Sequence, residues 1–244
     1  MPGLRINPTT LTVVPDGMGN IMGTSGSSKI VTWLQSCKRP LLLTHIRPDG
    51  DAYGALIGLL GALRDYGIPA CGYLSSPLPA RYRQLFAIPP GLYDGTPLPA
   101  DASFDAVLCL DAATAERVAL PPGREHLLTE MPVANIDHHP DNPGYGDCSW
   151  VDATCAATSQ MVVTLLDAAG IPLSPDAATP LMTGLLTDCG GFRFNNTDPA
   201  ALRCAADLID HGIDYPRIVD ALFFTEAYER LRFKGQLLKS AHFA

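Results

Sequence analysis

The chain has 244 residues, 47% of them hydrophobic and 17% charged, the balance of a globular protein with a filled core rather than a disordered one. Its formal net charge of −8 counts against a binder of long nucleic acid, which needs clustered Lys and Arg against many phosphates. Seven cysteines (37, 71, 109, 148, 155, 189 and 204) lie scattered with no C-x-x-C pair, so neither a disulfide framework nor a structural zinc site is expected. No run reaches the roughly 18 apolar residues of a membrane span. The N-terminus also lacks the charged-then-apolar pattern of a secretory leader, so a cytoplasmic protein is expected.

Residues 1–25, rich in Gly, Pro, Thr and Asn, read as a flexible leader. A serine-capped helix from about residue 27 to Cys37 follows. Next, Pro40-Leu41-Leu42-Leu43-Thr44 has the length and apolarity of a buried strand. At its C-terminal end stands His45-Ile46-Arg47-Pro48-Asp49-Gly50-Asp51. A helix over 52–66 is stopped by Gly67, with Pro69 beyond. Strands are then expected at 70–73, at 106–110 leading to Asp111, and at 133–136 leading to Asp137-His138-His139. Past residue 150 the pattern is helical, at about 156–169, 175–187, 198–211 and 215–223. The second of these helices ends at Asp188, in Thr187-Asp188-Cys189-Gly190-Gly191-Phe192, and Asn196-Thr197-Asp198-Pro199 caps the next.

This alternation gives an α/β fold: a Rossmann-like, mostly parallel sheet flanked by helices, with a helical C-terminal part. Three strands deliver acidic or histidine residues at their C-terminal ends. Open parallel sheets place ligands in the crevice beyond those ends, so residues distant in sequence should converge there. Each motif has a plainer reading. Pro-Asp-Gly is a strong turn sequence, an aspartate after a strand is commonly a helix cap, and paired histidines are often merely exposed. None of these explains four such motifs in one chain. Carboxylates mixed with imidazoles suit a divalent cation such as manganese. Arg47 and Arg193 are the two arginines placed to meet a phosphate. His126, His211 and His242 lack a motif context and read as surface or packing residues.

Over about residues 26–240 the chain resembles the DHH phosphoesterase superfamily, and within it the bacterial nanoRNase and phosphoadenosine phosphate phosphatase branch. The residues that carry the resemblance are His45 to Asp51 followed by Ala52-x-Gly54-Ala55, then Asp111, then Asp137-His138-His139, then Asp188 to Phe192 with Asn196-Thr197. It implies two divalent metal ions, manganese first, with magnesium or cobalt as alternatives. His45, Asp49 and Asp111 would hold one. Asp51, the shared Asp111, His138 and Asp188 would hold the other. Asp137 would orient the histidines from behind, and His139, beside the metals, would meet the substrate phosphate. The activity implied is hydrolysis of short oligoribonucleotides, linear dinucleotides or 3′-phosphoadenosine 5′-phosphate, with Asp111, His139 and Arg47 at the reacting phosphate. Related branches act on pyrophosphate or single-stranded DNA.

Two departures from the family pattern stand out. Cys189 replaces the usual threonine of the fourth motif, and its weaker hydrogen bonding should hold Asp188 more loosely. The resemblance also implies a C-terminal substrate-binding domain beyond this sequence. The expected organisation is therefore a leader over 1–25, a catalytic domain over 26–224 and a connecting helix over 225–244. The alternatives are a truncated metal- or nucleotide-binding domain without turnover, or a relative of the pyrophosphatases or single-stranded DNA exonucleases. Neither a membrane nor a long duplex is an expected partner. Apolar surface at Leu222-Phe223-Phe224 and along the connecting helix could serve a docking domain or a homodimer.

Overall fold

The computed structural model describes residues 24–226 and 228–240. The leader expected at 1–25 therefore lies almost wholly outside the described residues, as does His242. The first half alternates helix and strand: α1 (Thr24–Ser36), β1 (Pro40–Leu43), α2 (Gly50–Asp65), β2 (Cys71–Leu74), the single turn α3 (Ala80–Arg83), β3 (Leu92–Asp94) and β4 (Ala106–Leu110). A second short turn, α4 (Leu127–Glu130), precedes β5 (Val133–Asp137) and β6 (Cys148–Val151). The helices α5 (Thr158–Ala169), α6 (Pro175–Asp188), α7 (Pro199–Asp210), α8 (Tyr215–Val219) and α9 (Tyr228–Ser240) complete the described residues. Among the described residues no helix is long and apolar enough to cross a membrane.

The six strands form one sheet in the order β3-β2-β1-β4-β5-β6, and every ladder in it is parallel. The chain winds outward from β1 to one edge, then returns to the centre and winds out to the other. The order thus reverses between β1 and β4, which pair from Pro40 opposite Ala106 to Leu43 opposite Cys109. This is the doubly wound arrangement, whose crevice opens beyond the carboxyl ends of the two central strands.

Strand β1 shows why these runs pair. All four of its residues are buried, and alternate side chains enter opposite layers: Leu42 one core, Leu41 and Leu43 the other. The first core is thick and helical, with α1, α2 and α5 packed on one face of the sheet and α6 against α2 and α5. Fully buried Leu56, Leu59, Leu60 and Leu63 of α2 each contribute about 1.5–3 kcal/mol there. The opposite face is covered thinly, mainly by loop residues such as Leu98, Phe104, Leu120 and Tyr145 with Leu127 of α4.

Several elements differ from the sequence expectation. β3 and β6 were not anticipated: β3 has only three half-buried residues, and β6 reads Cys-Ser-Trp-Val without a sustained apolar run. Helix α2 begins at Gly50 rather than 52, because Asp49 caps it and accepts from the backbone N–H groups of Asp51 and Ala52 at 3.1 Å. α8 ends at Val219 and passes into a wider π turn over Asp220–Phe224. The glycines of α2 lie against α6. A Cβ on Gly54 would stand 2.5 Å from the Pro180 carbonyl oxygen, and one on Gly50 2.2 Å from Thr187 Oγ1.

Candidate metal centre

Four segments meet at the reversal between β1 and β4. His45 follows β1 and is buried; its Nδ1–H donates to the Ile46 carbonyl at 2.7 Å, leaving Nε2 as the ring atom that faces Asp111, 3.6 Å from Oδ2. Asp111 follows β4 and is 2% exposed, with its backbone in the left-handed region at φ 55°. Aspartate tolerates that conformation better than most residues, and the Asp111 N–H donating to Ile136 O at 3.0 Å locks it. Thr158, at the start of α5, donates its hydroxyl to Asp111 Oδ1 at 3.0 Å.

Asp51 sits in the first turn of α2 and is 1% exposed. Its two oxygens accept from the backbone N–H groups of Thr158 and Ser159 at 2.6 and 2.9 Å. Ala157, the N-cap residue of α5, has no side-chain acceptor of its own, so Asp51 caps α5 from another helix. His138 Nε2 lies 3.2 Å from Asp188 Oδ2, 3.7 Å from Asp111 Oδ1 and 4.0 Å from Asp51 Oδ2. His139 donates from Nδ1 to Asp137 Oδ1 at 2.7 Å and lies 3.8 Å from Asp111 Oδ1. Asp137 is wholly buried at the end of β5.

Three sets of ligand atoms lie within 4.8 Å of one another: those of His45, Asp49 and Asp111; of Asp51, His138 and Asp188; and of Asp111, His138 and His139. The electrostatics show how crowded this cluster is. Burial, reinforced by the charges of Asp111 and Asp188, pushes the Asp51 carboxyl well above the ordinary range. Asp188 is pushed up to about 6 by burial, with His138 partly opposing the shift. At Asp111 burial acts upward too, but His45, His138 and His139 outweigh it and hold the carboxyl low. The hydrogen bond to Asp137 holds His139 up at about 9 against the opposing effect of burial. Carboxylates held this close without a cation repel, and a divalent ion would relieve them. The donor set also fits one: oxygen and imidazole nitrogen, the latter presented through Nε2 at His45 and His138.

The structure places the remaining expected residues differently from one another. Arg47 is exposed beside the cluster, its backbone left-handed at φ 55°. Arg193 turns back on its own loop, donating from Nε to Gly190 O at 2.7 Å with its guanidinium 5.7 Å from the centre of the Phe223 ring. Cys189 is fully buried in the helical core, and burial pushes its thiol up to about 11. The loop it begins is anchored by Asn196 instead, whose Nδ2 donates to Asp188 O at 3.1 Å and to Ala156 O at 3.0 Å. His126 and His211 stand apart from the cluster, at the ends of α4 and α7.

Several supporting residues were not visible as such in the sequence. Thr158 and Ser159 carry no motif: both hold Asp51 through backbone N–H groups, and Thr158 adds a hydroxyl to Asp111 that no spacing announces. Asn135 left a weak signal: a polar residue in the middle of an otherwise apolar strand, wholly buried.

A doubly wound parallel sheet with a buried carboxylate and imidazole cluster at its reversal point defines an α/β domain suited to divalent cations. The chain belongs to the DHH family: the profile described as "DHH family, N-terminal domain" matches residues 40–185. It is 37% identical over 212 residues to the bifunctional oligoribonuclease and PAP phosphatase NrnA of Thermus thermophilus, covering 86% of this chain and 61% of that protein. It is 30% identical over 193 residues to the protein of the same name from Bacillus subtilis, covering 76% of this chain and 57% of the relative. The chain thus spans about three fifths of the length of these curated relatives. Among solved structures, an exopolyphosphatase-related protein from Bacteroides fragilis superposes with a TM-score of 0.78 at 21% identity, over 93% of this chain and 68% of that one. That likeness establishes the shared fold.

Proposed function

We propose that the chain is the catalytic part of a two-cation phosphoesterase acting on short oligoribonucleotides, linear dinucleotides or 3′-phosphoadenosine 5′-phosphate. The observation that carries this reading is the convergence of Asp51, Asp111, Asp188, His45 and His138 in adjoining ligand sets at the sheet reversal, with His45, Asp51 and Asp111 buried. The relatives named for oligoribonuclease and PAP phosphatase activity support the substrate class. In this reading His45, Asp49 and Asp111 hold one ion, and Asp51, Asp111, His138 and Asp188 the other. Manganese is the first choice, with magnesium or cobalt as alternatives. When bound, such ions supply Lewis-acid stabilisation of phosphoryl charge and acidify water near neutral pH.

The chain's own groups supply the rest. Asp111 sits between the two ligand sets and fixes their separation. Asp137 holds His139 Nδ1, so Nε2 is the ring nitrogen left to meet a phosphoryl or leaving-group oxygen. Arg47, on a strained and exposed turn beside the cluster, is available to pair with a phosphate oxygen. Arg193 takes a lesser part in this reading, since its Nε is already engaged by Gly190. Residues 26–224 form the catalytic unit, and α9 is the connecting helix. The support for the latter is that every described residue of α9 is exposed, Leu231, Phe233, Leu237 and Leu238 included.

The test is release of mononucleotide from a labelled diadenylate. Hydrolysis is expected with manganese and is lost on chelation. Manganese that binds by calorimetry without hydrolysis of any short phosphoester would remove the enzymatic reading and leave a binding domain.

A second expectation concerns pH. Asp188 has an ordinary value of 3.8 and is held at about 6 in the fold, so the folded chain binds its proton more tightly than the unfolded chain does. The metal-free protein should therefore lose stability from this group as pH rises from about 4 to about 6. A bound cation competes with that proton. The rise in Tm caused by manganese should be larger at about pH 7.5 than at about pH 5.5, by differential scanning fluorimetry. An equal rise at both values would show that the cation displaces no proton from a carboxylate.

A further inference from the structure

Behind His139 lies a second layer of polar groups that the proposed chemistry does not yet use. Asp137 Oδ1 holds His139, and its other oxygen, Oδ2, accepts from Asn142 Nδ2 at 2.7 Å. The same amide nitrogen donates to Asn135 Oδ1 at 2.8 Å and lies 3.4 Å from the Ala112 carbonyl. Asn135 in turn donates to the Tyr145 hydroxyl at 3.2 Å, and that hydroxyl donates to Ala112 O at 3.0 Å. Ala112 directly follows Asp111. One small network therefore grips both the carboxylate behind His139 and the backbone that follows Asp111.

A turn alone does not account for Asn142. Its Oδ1 accepts from the Gly144 N–H at 2.8 Å, a local arrangement that aspartate would serve equally well. Its Nδ2 is different, because it points at three acceptors, one of them the Asp137 carboxylate, and only an amide supplies that donor. Asn135 adds to the contrast. A wholly buried asparagine in a central strand is costly unless its amide is paired, and Asn142 and Tyr145 are the side chains that pair it.

We propose that Asn142 is a positioning residue for His139, acting through Asp137. By occupying Asp137 Oδ2 it fixes the rotation of the carboxylate, so that Oδ1 holds the imidazole in the one orientation that presents Nε2 to a substrate phosphate. The catalytic half of this inference rests on the phosphoesterase reading above; the coupling of Asn142 to the His139 ring does not.

The test uses the whole chain, labelled with 15N-histidine, and three variants. In the wild type a downfield Nδ1–H resonance is expected from His139, assigned by its loss in His139→Ala. In Asn142→Ala it shifts or broadens. Asn142→Asp keeps the turn but sets a second carboxylate against Asp137, and disturbs the resonance at least as much. In turnover of diadenylate with manganese, Asn142→Ala lowers kcat by about 10–100-fold, the range seen for partners that orient a working histidine. KM and manganese affinity change by less than about 3-fold. In a His139→Ala background the same substitution costs less than about 2-fold, because the residue through which it acts is gone.

An unchanged ring signal in Asn142→Ala overturns the proposal, as does an equal loss of kcat in both backgrounds. Absence of turnover by the wild type counts against the phosphoesterase reading instead. In that case the ring signal still decides whether Asn142 holds His139.

Discussion

Replacing Asp111 by asparagine is expected to lower kcat/KM for manganese-dependent diadenylate hydrolysis by about 10^3-fold or more, the equivalent of several kcal/mol of lost charge stabilisation. Asp111 serves both ion sites of the proposed reading, grouped with His45 and Asp49 on one side and 3.7 Å from His138 Nε2 on the other, so its loss weakens two positions at once. Asparagine is the informative substitute. Position 111 has a φ of 55°, which asparagine accepts and alanine does not, so Asp111→Asn removes the charge without adding backbone strain. It also leaves an oxygen to accept from Thr158. In the metal-free variant two effects oppose one another: Asp51 loses a repelling neighbour, while His45, His138 and His139 lose the carboxylate they hold charged, so the melting temperature should stay close to that of the wild type. Thermal melts and calorimetry with manganese, beside the kinetics, separate these effects. Activity retained within about tenfold would rule out Asp111 as the shared ligand.

The second large effect is structural. Gly54→Ala should destabilise the chain by about 3 kcal/mol, the upper part of the usual overpacking range. For a domain of this size that is a fall in Tm of about 6–12 °C. The added methyl would stand 2.5 Å from the Pro180 carbonyl oxygen and 2.9 Å from the backbone N and Cα of Gly184. None of these is a flexible side-chain tip that can swing away, so α2 and α6 must separate. The contact runs antiparallel, with Gly50 against Thr187 at one end and Gly58 against Leu181 and Ala177 at the other. Separation therefore pulls Asp51 from Asp188, and manganese affinity should fall together with stability. Gly235→Ala on exposed α9 is the control: a Cβ there meets nothing, and the change should be neutral or slightly stabilising. A Gly54→Ala chain that melts with the wild type would show that the helices are not in backbone contact.

What the sequence made legible follows from how each feature is encoded. β1, β4 and β5 are buried on both faces, so β1 and β4 appear as unbroken apolar runs and β5 as one broken at Asn135, and the residues at or just past their ends could be placed at one edge of the sheet. β3 and β6 lie at the two margins of the sheet, only partly buried, and carry no such run. The glycines of α2 illustrate a different limit. Periodicity shows that they sit on a helix, but only the partner helix explains them, and nothing in the spacing identifies α6. Asp51 was legible as a charged residue near other charged residues; its capping of α5 was not, since the groups it holds are backbone amides. Asn142, in Pro140-Asp141-Asn142-Pro143-Gly144, has the signature of a turn, and that signature hides its contact with Asp137.

The reversal of strand order has a mechanical consequence. His45, Asp49 and Asp51 leave the sheet from β1, on the half that winds one way. Asp111, His138 and His139 leave from β4 and β5, on the half that winds the other way. The β1–β4 ladder is the seam between the halves, and a cation shared across the cluster would staple it shut. In folding terms the ion is then a cross-link that closes a long loop of chain, and it favours the assembled state over any form with one half open. Amide exchange along Pro40–Leu43 and Ala106–Leu110 should slow on cation binding more than exchange at β3 or β6, so the fold is tightest where its two halves would otherwise part.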